Sequence, residues 1–341
     1  MNNTQSKIVP GWAWAVLAIA VVVVAMALMM TDDRQEPGES LVYDVSEYES
    51  SAEENVRYTE TGRINLNIEY PSALALNPEG NILVAGDGMI VMLDADGKEK
   101  ARTEINGHPR CMAVAPDDIV YLGMRDHVSV LDASGTTGAV WDSLGKRAWL
   151  TSIAANETSV FVADAGNACV YHYDRGGALQ NTINKRDVEK DIPGFSVPSH
   201  YFDVAFDPMD SLWIVHPGKL GVENYRYDGT LLSAWYQPGF KPDQFPGCCN
   251  PAHIAFTGKS GLIAAQKGIN AVKAFAADHS FVGVVAPPGV LDTGWKPAEF
   301  PDDMTPVRDL AVDANDRILV LHGPLCKLLI FEPKPELVED Q

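Results

Sequence analysis

Three sets of side chains in this sequence have the types and spacing to do chemistry. The first is the segment PDQFPGCCNPAHIAF, Pro242 to Phe256, where Cys248 and Cys249 are adjacent and His253 follows shortly after. The flanking Pro-Gly and Asn-Pro pairs make this a rigid, turn-rich loop. Adjacent thiols admit three roles. They form a strained vicinal disulfide that makes a hard lip on a pocket. Or they work as thiolates that bind metal or exchange with a partner's disulfide. Or they are two small buried residues, one of them bridged to Cys111. The C-x-x-C spacing of zinc and thioredoxin-type sites is absent.

The second set is Cys111, Asp203, His253 and Asp309, each two residues ahead of a recurring alanine. Thiol, imidazole and carboxylate are metal-ligand types, suited to one divalent ion such as zinc or calcium. The third set is Asp164, His216, Gln266 and His322, each closing the strand that follows. Arg110 and Arg308 stand one residue before Cys111 and Asp309. Together this third set marks a ligand-binding face. The two arginines hold an anionic ligand there, or else pair with Asp203 and Asp309.

These positions correspond because the chain repeats. SALALNP, CMAVAP, TSIAAN, FDVAFDP, HIAFTG and RDLAVDAN each carry a central alanine: Ala75, Ala113, Ala154, Ala205, Ala255 and Ala311. A second apolar strand follows each (NILVAG, DIVYLG, SVFVAD, SLWIVH, GLIAAQ, RILVLH), and then a third. A period of roughly 40–55 residues with about four strands per unit predicts a β-propeller. Six units predict six blades, with the alanine on the crowded innermost strand. The sixth unit is short of a strand. Arg63 to Tyr70, RINLNIEY, alternates apolar and polar residues and is predicted to complete that blade and close the ring. In this fold the start of the first strand and the end of the second reach one face, which places all three sets together.

The N-terminus reads differently. Residues 11–30, GWAWAVLAIAVVVVAMALMM, carry no charge and would span roughly 30 Å as a helix, the thickness of a bilayer core. Trp12 and Trp14 suit an interfacial belt. Lys7 precedes the run and acidic residues follow it, so residues 1–10 are expected in the cytoplasm and the rest outside. A cleaved signal peptide ending near Ala25-Met26-Ala27 is the competing reading. Residues 31–57 read as an acidic linker, 58–332 as the propeller, and 333–341 as a tail. The expected class is therefore all-β, a six-bladed propeller with an N-terminal transmembrane helix, outside the cytoplasm.

The unit SVFVADAGNACVYHYDRGG resembles the NHL repeat through Val162-Ala163-Asp164 and Asn167-Ala168-Cys169-Val170. SALALNPEGNILVAGDG and RDLAVDANDRILVLHG resemble its earlier part. The resemblance covers about Pro71 to Phe331, best in blades one, three and six. It implies the propeller fold and a range of uses: protein-binding scaffold, lyase or lactonase. It also implies the central-channel metal of the peptidyl-amide lyase branch, held by histidines from several blades. Here only His253 is a histidine in the inner ring. The alternative reading of Asp203 and Asp309 is that they hydrogen-bond neighbouring backbone.

A net charge of −20 disfavours nucleic acid as a partner. No G-x-S-x-G, H-E-x-x-H, P-loop or C-x-x-C-H motif occurs. The insertions 184–200, 237–250 and 287–305 enrich one face between blades three and six. The expected function is a membrane-anchored scaffold binding a protein or small ligand through the face of blades four to six. The alternatives are a metal-dependent lyase or hydrolase in the central channel, and a redox accessory protein using Cys248 and Cys249. Cys169 and Cys326 are expected in third strands as core.

Overall fold

The repeat demands four strands per unit, and the computed structural model has them. It describes Trp12 and residues 46–184, 193–294 and 305–335. Blade one is β2 (Ala73–Leu76), β3 (Ile82–Gly86), β4 (Met89–Leu93) and β5 (Glu99–Glu104). Blade two is β6 (Cys111–Val114), β7 (Val120–Gly123), β8 (Val128–Leu131) and β9 (Thr137–Val140). Blade three is β10 (Leu150–Ala155), β11 (Ser159–Asp164), β12 (Cys169–Asp174) and β13 (Leu179–Ile183). Blade four is β14 (Val204–Phe206), β15 (Leu212–His216), β16 (Gly221–Tyr225) and β17 (Leu231–Tyr236). Blade five is β18 (His253–Phe256), β19 (Leu262–Gln266), β20 (Ala271–Phe275) and β21 (Phe281–Ala286). Blade six takes β22 (Val307–Val312), β23 (Ile318–His322) and β24 (Lys327–Pro333), and its outer strand is β1 (Tyr58–Asn65).

The alanine-centred strands are innermost. Each of β2, β6, β10, β14, β18 and β22 touches the next, and β22 meets β2 to complete the ring. Ala75, Ala113 and Ala154 each sit in the apolar wedge between their own blade and the following one. A longer side chain there would hold the converging blades apart. The core is therefore not one body but six wedges, one between each pair of neighbours. In the wedge between blades three and four, Phe161, Phe202 and Leu212 are fully buried, and each contributes about 1.5–3 kcal/mol.

The ring closes where the sequence predicts, with different limits. β1 pairs antiparallel with β24 from Tyr58↔Pro333 to Asn65↔Lys327. The ladder begins before Arg63 and stops before Leu66. Leu66 and Ile68 keep the apolar alternation because they bury in the wedge between blades six and one, not because the strand continues.

The acidic linker expected to reach residue 57 overlaps ordered structure. Helix α1 (Ser46–Glu54) packs near α2 (Pro288–Leu291) with Ala52 buried. Glu53 Oε1 accepts from the Gly289 amide at 3.1 Å, and the Arg57 amide donates to Val284 O at 3.0 Å. Composition hid this, because one buried alanine, the Glu53 carboxylate and backbone bonds hold the segment. Cys326 is also not in a strand. It occupies a turn with φ 49° just before β24. All five cysteines are free, so no bridge joins Cys111 to the Cys248–Cys249 pair.

Residues 1–10, expected in the cytoplasm, the remainder of the apolar run 11–30, residues 31–45, the segments 185–192 and 295–304 and the tail 336–341 lie outside the described residues. Among the described residues, no helix is long and apolar enough to cross a membrane.

Candidate functional site

Two cavities open along the propeller axis. A channel of about 300 Å³ runs between the inner strands, lined by Cys111, Ser152, Asp203, His253 and Asp309. A cleft of about 1020 Å³ lies at one face, with walls that include Tyr70, His108, Trp149, His200 and Tyr201. Arg110, Thr151, His253 and Arg308 line both, so they form the throat between them. The first strand's start and the second strand's end do reach one face: Cys111 opposes Gly123, and Leu150 opposes Asp164.

The channel carboxylates are engaged by backbone amides. Asp203 Oδ1 accepts from the Val204 amide at 2.9 Å, and its Oδ2 accepts from the Ile254 amide, in the next blade, at 2.7 Å. Asp309 does the same, binding the Leu310 amide and the Leu74 amide, both at 2.8 Å. Ser152 Oγ accepts from the Val204 amide at 3.2 Å. Three blade junctions, three–four, four–five and six–one, are thus stapled through the position two before the central alanine. Burial pushes Asp203 up to about 6 against these hydrogen bonds. Burial, with Asp203 adding, pushes Asp309 well above the ordinary carboxylate range.

These side chains do not fit the implied metal. Both carboxylates already clamp amides, and burial, with Asp309 adding, pushes the Cys111 thiol far up and keeps it neutral. Among the described residues, no three His, Cys, Asp or Glu side chains converge as a donor set. His253 lines the same channel. Burial, and then the charge of Arg308, pulls it down to about 4, so its imidazole is neutral. Its Nδ1 is 3.8 Å from Asp203 Oδ2, beyond hydrogen-bond length.

The throat is cationic. The Arg110 guanidinium lies over the Trp149 ring, 3.7 Å from its centroid. Trp149 in turn stacks on His200, with ring centroids 4.5 Å apart. Arg110 Nε is buried with no hydrogen-bond partner. Asp164 sets this stack: its Oδ1 accepts from the Trp149 amide at 2.9 Å and from the Asn167 amide at 3.0 Å. Of the six residues expected on the ligand face, only Arg110 and Arg308 line the cleft.

The other four hold backbone instead. Asp164 bears on Trp149 from behind. His216 Nε2 accepts from the Ser196 amide at 3.0 Å while its Nδ1–H donates to Glu223 Oε1 at 2.8 Å, which fixes the tautomer. His322 Nε2–H donates to Leu291 O at 2.9 Å, and its Nδ1 accepts from the Leu325 amide at 3.2 Å. Gln266 Nε2 donates to Ile269 O. A polar residue at a strand end has an easier partner in the turn it closes than in a ligand. The cleft also draws on blades one, two and three, not only the loop-rich sector of blades four to six.

Sequence reasoning missed Trp149, His200 and Tyr201. The repeat offers no signal for them, though it does for other parts of the wall. The position three before the central alanine gives Ser72, Arg110, Thr151, Phe202, Ala252 and Arg308, and the four polar ones line the cleft.

Cys248 and Cys249 lie in the loop entering blade five, with their sulfurs 3.1 Å apart. Cys248 is exposed and Cys249 buried.

No known family's profile matches the chain, and no curated protein matches it in sequence. Among solved structures it is similar to one described as a streptogramin B lyase, with a TM-score of 0.58 at 10% identity, covering 83% of this chain and 99% of that one. It is also similar to virginiamycin B lyase from Staphylococcus aureus, with a TM-score of 0.53 at 10% identity, covering 81% of this chain and all of that one, 100%. At such identity the likeness is one of fold: the chain is a six-bladed β-propeller. The NHL resemblance rests on the quoted repeats alone.

Proposed function

We propose that this propeller is a binding module whose cleft takes a small anionic ligand against Arg110 and Arg308. One observation carries the reading: Arg110 Nε is buried and unpartnered at the throat of an open cavity. An unpaired buried donor is costly, and the guanidinium that carries it borders both cavities, where a carboxylate or phosphoryl oxygen would meet it with a charge-assisted bond. The chain's net charge of −20 makes a cationic throat a local exception. A cavity of about 1020 Å³ with aromatic walls suits a small organic molecule. The apolar run 11–30 supports a role at a membrane, with the propeller on the far side from the cytoplasm. Fluorescence titration of the full chain with small carboxylates and phosphates tests the reading, since a ligand on Arg110 would alter the emission of Trp149.

A second reading, a lyase, is favoured by His253. Its imidazole is neutral and faces both cavities, as a general base must. The solved structures of similar fold include lyases. On this reading His253→Gln retains ligand binding and loses turnover.

A further inference from the structure

We propose that Cys248 and Cys249 form a thiol–disulfide exchange site at the rim of the cleft, with a small disulfide as the oxidant. Four observations carry it.

The loop is clamped around the pair. Asn250 is buried. Its Nδ2 donates to Pro246 O at 2.7 Å and to Lys267 O at 3.1 Å, and its Oδ1 accepts from the Lys267 amide at 2.9 Å. One side chain therefore closes the loop across both cysteines and ties it to the turn after β19. The sulfurs are held 3.1 Å apart, in position to bond.

The two thiols differ in access. Cys248 is exposed, whereas Cys249 is buried, at 2% relative exposure. An incoming disulfide can reach the first and not the second. That is the division between an attacking and a resolving thiol.

The surroundings favour one thiolate. Burial pushes Cys249 up, but Ser199, Cys248 and the Lys267 ammonium outweigh it and draw it below the usual thiol range. The hydrogen bond to Cys249 and its charge hold Cys248 higher. Cys249 is thus the more acidic of the two, and the sulfur–sulfur contact lets a proton pass between them.

The pair borders the cleft. Ser199, beside Cys249, lines the cleft, and the Lys267 ammonium lies 5.2 Å from the ring centroid of Tyr201, another cleft residue.

The reaction balances as follows. Cys248 passes its proton to Cys249 and attacks one sulfur of R–S–S–R. The R–S–S–R bond breaks, a Cys248–S–S–R bond forms, and the first RS⁻ leaves with the proton from Cys249. The Cys249 thiolate then attacks Sγ of Cys248, breaks its bond to SR and releases the second RS⁻. The cysteine pair loses two electrons and the small disulfide gains them.

The test uses the full chain in detergent, incubated with excess hydroxyethyl disulfide and then alkylated under denaturing conditions. The expected result is two fewer alkylatable thiols, with a disulfide mapped to the Cys248–Cys249 peptide, reversed by a dithiol reductant. Cys249→Ser stalls at a stable mixed adduct on Cys248, and Cys248→Ser forms no adduct. Lys267→Met slows the first step at neutral pH by about tenfold. A folded chain that keeps all its thiols overturns the proposal. So does an adduct in Cys249→Ser that maps to another cysteine.

Discussion

The Arg110 guanidinium carbon lies over Trp149, 3.7 Å from the ring centroid, with its Nε buried and without a partner. The two residues come from the approaches to neighbouring blades, and only blade packing brings them together. Asp164 holds the Trp149 backbone from behind. The cation is thus supported by an aromatic face while one of its donors stays unused.

The support is testable apart from the cation. Gly166 lies so close to the segment before β10 that an added Cβ would collide with the Arg147 carbonyl oxygen and crowd the Trp149 amide. Gly166→Ala should displace Trp149, and overpacking of this kind costs about 1–3 kcal/mol. Thermal melting should show that loss, and the Trp149 contribution to the near-ultraviolet dichroism should change with it.

The channel carboxylates should behave as structure. Asp203→Ala leaves the Ile254 amide without its acceptor and the Val204 amide with only Ser152 Oγ, and Asp309→Ala removes the acceptor of Leu310 and Leu74. Each stranded buried group costs about 1–3 kcal/mol. Denaturant unfolding should show both variants destabilised. Adding zinc or calcium to the parent chain should leave its midpoint unchanged, since these oxygens are already engaged.

Acid stability should track Glu223. Its oxygens accept from His216 and Lys219 and from the hydroxyls of Tyr225 and Tyr236. Burial pushes it up, but these bonds outweigh that and bring it down to about 2 from its ordinary 4.5. The folded state therefore binds this proton less readily than the unfolded chain. Its contribution is present above about pH 4.5 and is lost as pH falls from there towards 2. Glu223→Gln should be less stable at neutral pH and should show a flatter loss of stability across that window.

The fold was legible because it recurs. Six alanines at matched positions in six strand pairs define the blades, and the spare alternating segment around Ile64 announces the closing strand. The site was less legible because type does not give direction. Asp203 and His253 occupy equivalent positions, yet one accepts an amide of the next blade and the other faces both cavities. Trp149 and Lys267 could not be assigned from their neighbours in sequence, since their partners Arg110 and Cys249 arrive from other parts of the chain. Helix α1 was hidden by its acidic composition, which looks the same in a linker.

Arg110 is placed to receive an anion. Isothermal titration of the full chain, with any small carboxylate or phosphate that shifts Trp149 emission, tests it most directly, set beside Arg110→Met in the same low-salt buffer. The account predicts saturable binding in the parent that weakens as salt rises. It predicts at least a tenfold loss in Arg110→Met, the equivalent of about 1.4 kcal/mol, with melting temperature retained. Equal affinity in the folded variant would contradict it.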